Sequence, residues 1–136
     1  MNFFILLSML AVLLFAIAIE LGGLPLEMEI ANTPKKREIG LMGRLSLDPE
    51  AGMLFVYDQP SILVFWMKNT FIPLSVAFFN EKKELLEILD MPVPPQSAKY
   101  YPLYQSTRPA SYALEMNRGW FKEHNIVPGM KFTFLD

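Results

Sequence analysis

From Phe3 to Ile19 the chain is apolar except for Ser8, and every charged side chain lies at or after Glu20. A run of this length falls between the apolar core of a signal peptide and a minimal membrane span. Ala16-Ile17-Ala18 has the small-x-small form of a cleavage site, but no Lys or Arg precedes the run, so a cleaved signal and a retained anchor both fit. The expectation is an apolar N-terminal helix over residues 1–19, as signal peptide or membrane anchor, ahead of a single β-rich domain over residues 20–136. A second pattern overlaps the first. Ala16–Leu21 and Leu24–Ala31 flank Gly22-Gly23, which reads as two extended runs around a hairpin turn. Cleavage after Ala18 would remove half of the first run.

Further along, Thr33 suits the N-cap and Pro34 the first position of a short helix over 35–41, stopped by Gly40 and Gly43. Three cations in its first turn oppose the helix dipole, so Lys35, Lys36 or Arg37 is expected to have a partner elsewhere. Residues 45–52 read as a polar connection, 53–57 as a strand and 58–61 as a turn. The most apolar stretch of the domain, 62–79, divides into predicted strands over 62–68 and 74–79, and 84–89 forms an amphipathic third. Residues 91–109 differ, with Pro92, Pro94, Pro95, Pro102, Pro109, three tyrosines and no periodicity. Long irregular connections of this kind are usually functional or mobile. A strand over 111–116, a helix over 118–124 capped by Asn117 and a closing strand over 131–135 complete the chain. Many short strands with two small helices imply a mainly β fold, a small antiparallel barrel or sandwich.

Composition then removes several chemistries. The net charge is −2 and the one dense basic run is Lys35-Lys36-Arg37, which argues against nucleic-acid binding. There is no cysteine, which excludes disulfides, thiol nucleophiles, thiolate metal sites and a lipidated cysteine. His124 is the single histidine, so a His-rich metal site is impossible, and its place in the last turn of a predicted helix suits a structural role. No phosphate-cradling glycine loop or nucleophile elbow occurs. Met42, Met53, Met67, Met91 and Met116 invite a copper reading, but each also fits a core position and no second histidine or cysteine supports it. No metal or cofactor is expected. Glu87 and Asp90 lie at a strand end, where exposure is the default.

The most unusual local sequence is Phe65-Trp66-Met67-Lys68-Asn69-Thr70. In an extended strand Phe65 and Met67 point one way, Trp66 and Lys68 the other. A lysine ending an apolar strand, followed by two short hydrogen-bonding side chains, places polar groups at the mouth of a hydrophobic body, as binding sites do. In the plainer reading Lys68 snorkels to solvent and Asn69-Thr70 makes a turn. Glu115 is the second oddity, a carboxylate in the otherwise apolar run 112–116. It needs a cation or amide partner, for which Lys68, Arg44 and Arg108 are the candidates.

These residues resemble a known family. Glu29-Ile30-Ala31-Asn32-Thr33-Pro34 with Arg37, Gly40-Leu41-Met42, Gly52-Met53-Leu54-Phe55, the 65–70 run with Ile72-Pro73-Leu74, Ala113-Leu114-Glu115 and Gly119-Trp120 are similar to the domain of unknown function 192 family, in order and spacing over roughly residues 24–134. The resemblance implies a small exported or membrane-tethered β-rich domain of no established activity, with Trp66, Lys68, Asn69, Thr70 and Glu115 in a shared site. Ser75 departs from the pattern, since the family commonly carries an aspartate there. Three readings follow. The first is an envelope binding module with a small-molecule or envelope ligand near Trp66, Lys68, Asn69 and Thr70. The second is an enzyme using Lys68 as base or electrostatic stabiliser with Glu115 as partner. The third is a buried polar network that only holds the fold. The expected location is exported or membrane-tethered, in contact with the membrane through residues 3–19 if these are retained, and nucleic acid is not an expected partner.

Overall fold

The structure, a computed structural model, describes residues 16–135. Strands β1 (Ala16–Leu21) and β2 (Leu24–Ala31) form the expected hairpin, with Leu21 paired to Leu24. Gly22 and Gly23 have φ of 58° and 81°, the left-handed pair that a two-residue turn matched to strand twist requires. The expected N-terminal apolar helix falls on residues outside the described part, except for residues 16–19. Those four belong to β1, where Ala18 O accepts a hydrogen bond of 2.9 Å from Leu135 N. Among the described residues no helix is long and apolar enough to cross a membrane.

Helix α1 (Pro34–Ile39) starts as its sequence predicts, with Thr33 Oγ1 accepting from Lys36 N at 3.2 Å. It carries the chain across to β3 (Gly52–Ser61), which therefore runs parallel to β2. This corrects the all-antiparallel expectation, because adjacent strands joined by a crossover rather than a hairpin end up parallel. The predicted turn at 58–61 is instead the distal part of β3, whose register with β8 shifts between Val56 and Ser61. The remaining elements are β4 (Val64–Phe65), β5 (Leu74–Phe79), β6 (Leu85–Met91), β7 (Tyr104–Gln105), β8 (Ala110–Asn117), α2 (Trp120–Glu123) and β9 (Phe132–Phe134). The predicted strand 62–68 shrinks to the two residues of β4, because the proline-rich connection offers only the two of β7 to pair with. Asn117 does not cap α2, which follows Gly119. Its amide donates to the carbonyls of Leu47 and Asp48 at 2.9 and 3.1 Å and ties down the polar connection.

The main sheet has the order β6-β5-β8-β3-β2-β1-β9 and curls into a half-barrel, with its two ends brought together at the Glu84–Lys131 bridge. Its two faces carry two separate cores. The inner face is filled by Ile19, Leu21, Met28, Leu54, Phe79, Leu114, Met116 and Phe132, with Trp120 and Phe121 of α2 packed against them. The outer face holds Met53, Phe55, Val76, Phe78, Met91 and Ala113, covered by Leu41 beyond α1 and by Leu63, Met67 and Ile72 from the segment between β3 and β5. The methionines offered as copper ligands are thus divided between the faces as packing residues. Met53, Met67 and Met91 face outward and Met116 inward.

Candidate functional site

Glu115 on β8 is paired with Met53 of β3 and Val76 of β5, and directly paired residues share a sheet face. The period-2 geometry that puts Leu114 and Met116 in the inner core therefore puts Glu115 into the outer one. There it meets a cavity of about 140 Å³. The walls come from β3 (Phe55, Tyr57), the β4 segment (Val64, Phe65, Trp66, Thr70) and α1 with its exit (Arg37, Ile39, Gly40, Leu41). Phe65 packs edge-on against Phe55 with ring centres 4.9 Å apart, which fixes the apolar wall. Gly40 has a φ of 50°, and a β-carbon there would lie 3.3 Å from the Phe55 ring, so glycine lets the helix end close over this wall.

Arg37 resolves the misplaced charge in α1. Its Nη1 donates to Val56 O at 3.0 Å, and the guanidinium lies 4.7 Å over the Tyr57 ring. Below β4, the Thr70 hydroxyl donates to Lys68 O at 3.2 Å, and Asn69, at a φ of 56°, presents a carbonyl that accepts from Gly43 N at 2.8 Å. Residues 68–70 are thus a turn that locks the β4 segment to the exit of α1.

Glu115 is 5% exposed. Burial pushes its carboxyl from an ordinary 4.5 up to about 8. Among the described residues its side chain has no hydrogen bond or ion pair, and no polar side-chain atom is both sealed from solvent and unpartnered. Its oxygens therefore reach the cavity. The Tyr57 hydroxyl is raised above its ordinary value by burial, against the pull of Arg37 and with a further push from Glu115. Burial thus favours the protonated form of the Glu115 carboxyl, which can both donate and accept a hydrogen bond, in a cavity with aromatic walls and with Arg37 and Glu38 at its α1 side.

Of the residues singled out in the sequence, Trp66, Thr70 and Glu115 line this cavity together. Lys68 stands outside, exposed, with Nζ 5.3 Å from the Trp66 ring centre. Arg44 is bound to Glu29 through both guanidinium nitrogens at 2.5 and 2.7 Å, on another part of the surface. Neither cation pairs with Glu115, and nor does Arg108, because the strand pairing turns Glu115 into the core while all three remain at the surface. Sequence reasoning had not placed Tyr57 and Phe55 at the site. For Arg37, the cation at the wrong end of a helix was the available signal. Ser75 does not bear on the cavity. It pairs with Met116, one residue out of step with Glu115, so it faces the other side of the sheet, where it donates to Asp90 at 2.7 Å and accepts from Gly119 N at 3.1 Å. Glu87 likewise has partners, the Thr107 backbone N–H and hydroxyl at 2.6 and 3.0 Å. His124 is stacked on Trp120 with ring centres 4.1 Å apart, its Nδ1 lying 2.7 Å from Trp120 O and its Nε2 3.4 Å from Glu50. Among the described residues no group of three or more His, Asp or Glu side chains is placed to hold a metal ion.

Residues 17–134 match the DUF192 family, described as "Uncharacterized ACR". Among solved structures, a Sinorhizobium meliloti 1021 protein described as a candidate transcription regulator is similar at 31% identity, with a TM-score of 0.78 over 88% of this chain and 93% of its own. A Novosphingobium aromaticivorans DSM 12444 protein of unknown function is similar at 29% identity, with a TM-score of 0.78 over 87% of this chain and 84% of its own. Among curated proteins nothing matches the chain.

Proposed function

The chain belongs to the DUF192 family, and from that premise we propose that it is a small binding module whose ligand enters the outer-face cavity and sets a carbonyl or carboxylate oxygen against Glu115. The observation that carries this reading is a buried carboxyl open to the cavity with no hydrogen-bond or ion-pair partner in the described chain. Natural proteins satisfy such groups, and one left open to a pocket is most simply completed by a ligand. A protonated carboxyl donates to a carbonyl or carboxylate oxygen, and the opposite charges of Arg37 and Glu38 at the wall leave that hydrogen bond as the main polar contact. The apolar body of the ligand would rest on Phe55, Phe65 and Trp66. The volume matches that of a cavity known to take up benzene, so the buried part of the ligand is roughly six heavy atoms.

The test is thermal melting of the full chain with acetate, acetamide, benzoate, benzamide and, for contrast, ethylamine. Carboxylates or amides should raise the melting temperature of the wild type and leave Glu115→Leu unmoved, while Glu115→Gln, which keeps an N–H donor, should still respond. Equal responses in wild type and Glu115→Leu, or a response to the amine alone, would overturn the assignment. A carboxyl with a raised pKa in a pocket is also what a general acid needs. The enzymatic reading therefore passes from a Lys68–Glu115 pair to Glu115 itself, and turnover of a bound ester or amide that Glu115→Gln abolishes without abolishing binding would favour it. The apolar run ahead of β1, residues 3–15, supports a place at or beyond a membrane, in the cell envelope.

A further inference from the structure

The layer over the outer face is built from two connections, residues 62–73 between β3 and β5 and residues 92–109 between β6 and β8, joined by the β4–β7 pair. Its inward side chains, Leu63 and Met67, are buried in the outer core. The alternate ones, Ile62, Val64 and Trp66, are each close to half exposed. Extending the β4–β7 register places Leu103, 63% exposed, opposite Trp66, and Tyr101 packs edge-on against the Trp66 ring at 5.8 Å. Seven of the twelve large exposed apolar side chains among the described residues lie in these two connections. Scattered apolar side chains on a surface need no explanation, but a concentrated and aligned set does.

The charge of the layer is as uneven as its polarity. The two connections carry Lys68, Lys99 and Arg108 and no acidic residue, in a chain whose net charge is −2. The nearest acids that contacts define lie at its margins. They are Glu38 and the buried Glu115 at the cavity, Glu81 and Glu84 beside Pro109, and Glu87, whose carboxylate is occupied by Thr107. Aliphatic side chains flanked by Trp and Tyr, with lysines whose stems can lie along them, are the composition of a surface that rests in the headgroup region of a bilayer. An anionic lipid surface matches both the apolar and aromatic side chains and the lack of acids in the two connections.

We propose that the outer face of the β4–β7 layer, centred on Trp66 and Leu103 with Lys68 beside them, docks on an anionic phospholipid surface. This stands apart from the ligand proposal, although Val64 and Trp66 contribute to both the cavity wall and this face. If the apolar run ahead of β1 tethers the chain, the same bilayer is then contacted by the folded domain itself.

The test uses the full chain and reads immersion of this face rather than attachment. Vesicles of phosphatidylcholine with a one-third share of phosphatidylglycerol are prepared with and without bromine on the acyl chains, and tryptophan fluorescence is followed. Trp66 is half exposed, while Trp120 is buried and supplies the background. Brominated chains should quench part of the wild-type signal, and Trp66→Phe should remove that part. Replacing Lys68, Lys99 and Arg108 together by Gln should weaken the lipid dependence of quenching about a hundredfold. Val64→Ser with Leu103→Ser should weaken it with all charges retained. If the chain pellets with vesicles while Trp66 is not quenched, or if quenching is the same in Trp66→Phe, the proposal fails. Sedimentation showing that the chain dimerises through Trp66, with no quenching by lipid, would assign the face to a protein partner instead.

Discussion

The two faces of the sheet use the same strands for opposite purposes. On the inner face, Leu54, Leu114, Phe79 and Phe132 are 0–1% exposed, and the filling is apolar apart from the hydrogen-bonded Ser75. One residue along β8, the outer face accepts Glu115 at comparable depth, under a cover of short pairings and irregular chain. Alternation along a strand thus separates stability from chemistry. The one strand residue on the inner side that is polar and buried, Ser75, has both its hydrogen bonds made, to Asp90 and from Gly119 N, while the outer face is kept open at a carboxyl that no described residue satisfies.

The comparison is broken most severely by emptying the inner face. Phe79→Ala removes a fully buried ring and should cost about 3–5 kcal/mol, enough to unfold a marginal domain, as read by chemical denaturation. Next in size is the pH dependence that Glu115 confers. Above its ordinary 4.5 the unfolded chain gives up this proton, whereas the folded chain holds it to about 8. The stabilisation is therefore complete below pH 4.5 and is lost as the pH rises to about 8, at most about 5 kcal/mol across that window. Glu115→Gln should remove this slope, so that the variant gains on the wild type as the pH increases. Equal slopes in the two proteins would mean that the carboxyl is not buried as described.

Smaller effects belong to the residues around the cavity. Arg37→Ala leaves Val56 O without its donor and Tyr57 without its cation, for about 1–2 kcal/mol in urea melts. Smallest are the surface cations. Lys68→Ala loses only its approach to Trp66, and Arg44→Ala breaks an ion pair whose two side chains are 37% and 35% exposed. Each should cost less than about 1 kcal/mol. A loss of 2 kcal/mol or more at Lys68 would restore the reading in which the signature is a buried network.

Local patterns carried much of this into the sequence. The Gly22-Gly23 hairpin, the Thr33–Pro34 helix start, β5 and β8 are legible because turn chemistry, capping and alternation act within a few residues. That Trp66, Thr70 and Glu115 meet was implied by the family resemblance alone; the residues themselves showed only a carboxylate out of place in an apolar strand and polar groups at the end of an apolar run. What failed depends on distant partners. The parallel β2–β3 pair follows from where α1 returns the chain, and the shortness of β4 from how little of β7 it meets. Lys68, Arg44 and Arg108 were assigned to Glu115 by charge alone, although the side a strand residue faces and the partner already bonded to a cation are tertiary facts. Tyr57 gave no sign in its own strand, because its role comes from Arg37 on a helix twenty residues earlier.

The most direct test is a carboxyl-carbon NMR titration of Glu115 in the full chain, assigned by difference against Glu115→Gln. A midpoint near 8 is expected, because burial without a partner holds the proton. A midpoint near 4.5 would show a solvated or ion-paired carboxylate and would contradict a cavity that presents a neutral acid to its ligand.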